Sequence, residues 1–151
     1  VGMAPNEELD RRIRDRLDPA LQLILRAQNA KRPDNVDHYG GWRYGHDAGD
    51  SDLSVTIWQL MALRAAKNAG LDVPSDAIER AVGYLKRCYK KPGEGGRRKK
   101  GSEEDGACAY MPSHRPSYAS AAAGLMALQL CGQYDSIEVT ESAEWLRDYN
   151  I

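Results

Sequence analysis

The tetrapeptide Leu60-Met61-Ala62-Leu63 recurs as Leu125-Met126-Ala127-Leu128, 65 residues further along. Gly40-Gly41-Trp42-Arg43-Tyr44 recurs loosely as Gly106-Ala107-Cys108-Ala109-Tyr110, at an offset of 66. Tyr84-Leu85-Lys86 is answered in the same order by Trp145-Leu146-Arg147. Segments that repeat in step define a structural period. A chain built this way stacks its units, because each leaves an apolar face that only a neighbour can cover.

The pattern inside the period is helical. Residues 6 to 17 are dominated by charge, with Leu9, Ile13 and Leu17 recurring every four positions, which predicts a solvated helix with a narrow apolar stripe. Asp18-Pro19 reads as an N-cap followed by proline at the first helical position, opening a second helix over 19 to 29 with Leu21, Ile24, Leu25 and Gln28 on one face. Residues 31 to 49 have no period and are rich in Pro, Asp, Asn, His and Gly, so they form a loop carrying Trp42 and Tyr44. Asp52 then caps a helix from Leu53 to Ala69 with almost no polar face, stopped by Gly70. Such a helix is expected to be buried nearly all round.

Ser75 opens an amphipathic, peripheral segment with Ile78, Ala81, Val82, Leu85 and Cys88 in one stripe. Residues 92 to 105 hold too little apolar surface to offset ordering and are expected to form a mobile loop. Ser117 to Cys131 is a second inner helix, small-residue in its first half and stopped by Gly132; Thr140 caps a final amphipathic helix over 141 to 149. The expectation is one all-α domain over 1 to 151, with about two inner and three outer helices stacked as hairpins.

Twenty-one basic and 22 acidic residues leave a net charge of -1, which provides no general electrostatic attraction to nucleic acid or an anionic membrane. Arg97-Arg98-Lys99-Lys100 is followed at once by Glu103-Glu104-Asp105, which partly neutralises it. No apolar run approaches the about 20 residues of a membrane span, and the N-terminus has no signal pattern. A soluble protein is expected, with the cytoplasm slightly favoured and the compartment left open. Cys88, Cys108 and Cys131 are odd in number without CxxC spacing, which suits reduced core residues. His38, His46 and His114 fall in polar loops, and Asp105, Cys108 and His114 match no zinc spacing, so neither metal nor cofactor is predicted.

Leu25-Arg26-Ala27-Gln28 followed by Gly40-Gly41-Trp42 resembles the two halves of a motif in the squalene cyclase and protein prenyltransferase β-subunit superfamily. The spacer is longer than usual there, and the second repeat carries Cys88 and Cys108 at the glutamine and tryptophan positions. The resemblance implies an α/α toroid whose inner helices line an apolar cavity, here an incomplete ring. On the structural reading, Trp42, Tyr44 and Tyr110 are expected to plug the joints between hairpins.

Asp50-Ser51-Asp52-Leu53-Ser54 is similar to the acid motif of class II terpene cyclases, and places their proton-donating aspartate on Asp52. The neighbouring aspartate of that motif is Leu53 here. Protonating an alkene needs a strong acid held by its neighbours, and the missing carboxyl works against it. A carbocation would also need aromatic faces around it. The chain has no Phe, and the residues expected to face a ligand are Trp58, Met61 and Tyr118. Three readings follow. The leading one is a noncatalytic binding or interaction module with a groove for an apolar or isoprenoid ligand. A second is a segment of a terpene-cyclase-like enzyme using Asp52 together with further hairpins of a longer chain. The third is a self-associating helical array.

Overall fold

The computed structural model describes residues 6–30, 35–92 and 106–148. Within them the chain is all-α, with five helices and one short two-stranded ribbon. Helix α1 spans Glu7–Asn29, its first turn capped by the Asn6 side chain, which accepts the Leu9 N–H at 2.8 Å. Where the sequence predicts two helices meeting at Asp18-Pro19, the structure has one, with Pro19 inside it. The proline deprives the Asp15 carbonyl of its usual partner, but residues 15–20 are all exposed, so water can take that bond and the helix continues.

A loop with a single 3-10 turn at Val36–His38 leads to α2, Leu53–Asn68. Helix α3 is Ser75–Cys88, with Pro74 rather than Ser75 at the capping position. Strand β1 (Tyr89–Lys90) pairs antiparallel with β2 (Ala107–Cys108), Tyr89 opposite Cys108. Helix α4 is Tyr118–Leu130 and α5 is Ile137–Asp148. Helix α5 begins three residues ahead of Thr140, the cap expected from sequence. The hydroxyl of Thr140 turns back onto the Ser136 carbonyl at 3.3 Å, as a threonine does inside a helix. From residue 93 onward, the loop expected over 92–105 lies outside the described residues.

Helices α2 and α4 pack on each other, α3 touches both, α1 lies on α2 and α5 on α4. The repeat is visible in the backbone. Asp52 and Ser117 cap α2 and α4 with the same geometry, φ/ψ of -131°/160° and -132°/163°, each side chain accepting the amide three residues on. Gly40 and Gly106 share φ +89°. At Gly40 a Cβ would stand 2.2 Å from the Arg80 carbonyl of α3, and at Gly106 the nearest atom is the Glu141 Cβ of α5, so each loop lies against the following outer helix.

The near-complete burial expected for α2 is not realised. Leu53, Val55, Thr56, Ile57, Leu60 and Leu63 are buried, whereas Trp58 is 69% exposed and Met61, Ala62 and Ala65 are also open. Its neighbours among the described helices surround only part of it.

Candidate functional site

The two halves of the glutamine and tryptophan motif meet in space. Gln28, fully buried on α1, donates from Nε2 to the carbonyls of Gly40 at 2.8 Å and Ala77 at 2.9 Å, and its Oε1 accepts from Arg80 at 3.0 Å. Trp42 is buried; its indole N–H donates to the Ile24 carbonyl at 2.8 Å and its backbone N–H to Thr56 Oγ1 at 3.0 Å. The Gln28 side chain therefore joins α1, the loop and α3, and Trp42 joins α1 through its side chain and α2 through its backbone. His38, expected to be solvated, is half-buried and clasps Ser51: its Nδ1 accepts the Ser51 N–H at 2.9 Å, and its carbonyl accepts the Ser51 hydroxyl at 2.8 Å.

The second repeat reaches the same geometry without those side chains. Cys88 and Cys108 cannot supply an amide and an indole, and backbone pairing of β1 with β2 replaces them, extended by the Ala109 N–H onto the Cys88 carbonyl at 2.8 Å. Burial pushes the Cys88 and Cys108 thiols up to about 12, and that of half-buried Cys131 to about 11. All three are free cysteines.

These braces set the position of Asp52, which has no solvent exposure. Its Oδ1 accepts the Val55 amide at 2.9 Å and the Ser54 hydroxyl at 2.8 Å; its Oδ2 accepts from Arg43 Nη1 at 2.9 Å. Arg43 also faces Asp50 at 3.6 Å. Every one of these partners is a donor, an arrangement that matches the carboxylate form and leaves Asp52 engaged as a helix cap and ion-pair partner.

The two tyrosines that mark the repeat have different surroundings. Tyr110 is wedged at a joint: its carbonyl accepts the Leu53 N–H at 2.9 Å at the start of α2, its hydroxyl lies 3.4 Å from Ser54 Oγ, and its ring stacks on His114. Tyr44 is 80% exposed and carries only the Arg43 guanidinium over its ring, so it plugs no joint among the described residues.

Trp58, Met61 and Tyr118, the residues expected to meet a ligand, are all exposed. Met126 and Leu130 on α4 are exposed as well, and sequence reasoning did not single them out. The signal was present, since Met126 stands at the repeat position of Met61. Paired helices α2 and α4 thus each expose a methionine at the equivalent place. No three His, Cys, Asp or Glu side chains among the described residues gather where a metal could be held, and no described helix is long and apolar enough to cross a membrane. No family model, curated protein or solved structure matches the chain.

Proposed function

We propose that this chain is a noncatalytic binding module related to the terpenoid cyclase and prenyltransferase α/α toroids, holding an apolar, isoprenoid-like ligand against the open face of α2 and α4. Met61 and Met126 form the floor, Leu130 extends it, and Trp58 and Tyr118 flank it. The observation that supports this most is the repeated exposure of that face: a methionine is solvent-facing at the same position in both copies, where a surface with no partner would favour polar side chains. Thioether chains adapt to ligands of irregular shape. The full set of donors on Asp52 favours a structural role for the residue over a proton donor for chemistry.

Titration with a long-chain isoprenoid alcohol, read by tryptophan fluorescence, tests the proposal. Saturable quenching is expected, absent in Trp58→Phe and weakened at least tenfold in Met126→Glu, while Asp52→Asn binds normally. Equal response of wild type and Met126→Glu would sink the ligand reading. Cyclised product that disappears in Asp52→Asn would establish the enzyme reading instead.

A further inference from the structure

The two copies of the repeat differ in burial in an ordered way. At an offset of 65, Val55 and Ser120, Thr56 and Ala121, and Leu63 and Leu128 are buried in both copies; Met61 and Met126 are exposed in both. Leu53, Ile57 and Leu60 are buried on α2, but their equivalents on α4 are Tyr118, 43% exposed, and the half-buried Ala122 and Leu125. The opposite change occurs at Trp58 and Ala62, exposed on α2, whose equivalents Ala123 and Ala127 are half-buried and fully buried on α4. Each set is a single helical stripe, and at 3.6 residues per turn the two lie roughly 150° apart around the axis. Helices α2 and α4 pack on each other, and burial greater on α2 in the first stripe and on α4 in the second is what two helices meeting through those sides would show. Each helix has both sides, and among the described residues each has one that is covered less than its equivalent on the other helix.

We infer that a second copy of this chain covers them, head to tail: the Trp58 and Ala62 side of one copy packs on the Tyr118, Ala122 and Leu125 side of another, repeating the joint between α2 and α4. The internal joint is the template, and both of its halves recur at the two ends. The sizes suit such a joint with the roles exchanged, since the first stripe carries Ile57 on α2 and Ala122 on α4, and the second carries Trp58 on α2 and Ala123 on α4. Tyr44 completes the match. Its counterpart Tyr110 is wedged against the start of α2, and Tyr44, exposed beside the Trp58 stripe's own helix cap, is the same wedge without its joint. A net charge of -1 opposes association little. Because different surfaces meet, the interface is heterologous and extends beyond a dimer into a ring or a filament. The inference shares Trp58 and Tyr118 with the ligand reading, while Met61 and Met126 belong to neither stripe, so Met126→Glu separates the two.

Sedimentation velocity across a concentration series tests it with two blocked variants, Trp58→Glu and Ala122→Glu. Wild type is expected to grow past dimer with concentration, and each variant to stay monomeric alone. Mixed in equal amounts they form a dimer of twice the monomer mass, since each retains the surface the other lacks. Helical circular dichroism verifies folding, and Tyr118→Glu, on the exposed end of the same stripe, replaces Ala122→Glu if that variant unfolds. Met126→Glu should associate as wild type does, even where it fails to bind isoprenoid. A wild type that remains monomeric at the highest concentration, or variants that do not complement on mixing, would overturn the inference.

Discussion

The side-chain amide of Gln28 and the carbonyl oxygen of Gly40 are held 2.8 Å apart across 12 residues of sequence. With Ala77 and Arg80 on the same amide, this one buried group ties the first outer helix to the loop and to the next outer helix. Gln28→Leu keeps the volume and removes all three bonds. Two carbonyls would lose a side-chain donor and the Arg80 guanidinium one of its acceptors, so a loss of about 2–4 kcal/mol in urea unfolding is expected. A loss below about 0.5 kcal/mol would show the brace to be dispensable.

Asp52 and Ser117 cap equivalent helices with the same backbone geometry, but they are not energetically equivalent. Ser117→Ala removes a cap at an exposed residue and should cost about 1 kcal/mol. Asp52→Ala removes a cap and also leaves Arg43 facing a buried, empty position, so about 3 kcal/mol or more is expected, with Asp52→Asn between the two. Matching losses for the two alanine variants in the same denaturant titration would contradict the structural role assigned to the Arg43 pair.

Gly124 lies inside α4, where alanine would ordinarily stabilise by about 1 kcal/mol. Here an added Cβ would stand 2.4 Å from the Cβ of Cys108. Gly124→Ala is therefore expected to destabilise by about 1–3 kcal/mol. In a double-mutant cycle, Cys108→Gly should relieve part of that loss, with a coupling of about 1 kcal/mol. A stabilised Gly124→Ala protein would mean that β2 and α4 do not approach this closely.

The three thiols titrate above the ordinary value of 9.0 because burial disfavours the thiolate. A raised folded-state value means that their contribution to stability is fully present below about pH 9 and is lost as pH rises toward about 12. The melting temperature should fall across that range. Cys88→Ala with Cys108→Ala should flatten the alkaline limb while lowering stability at neutral pH, and an unchanged alkaline slope would assign the decline to other groups.

Much of the architecture was legible in the chain. The helix stops at Gly70 and Gly132, both near φ +78°, and the caps at Asp52 and Ser117 were readable because each depends on residues within one turn. Gln28 and Trp42 were recognisable as a pair, although their partners were not, since these bonds go to backbone atoms that carry no residue-specific signal. Asp18-Pro19 misled because the rule for proline describes a lost bond, and whether that loss ends a helix depends on access to water. The strand pairing that replaces the glutamine and the indole in the second repeat left no trace in local pattern at all, being two residues long on each side.

The sequence by itself determined the period, the helices and the turns, because backbone conformation answers to short-range rules of caps, glycines and spacing. Only the tertiary structure decided what each repeated residue does. Tyr44 and Tyr110 occupy the same place in the motif, yet one is open to solvent and the other supports the start of α2. Ala62 and Ala127 share a position with opposite exposure in the same way. Burial is set by what lies beside a side chain, and two copies of one unit have different neighbours when one comes first and the other last.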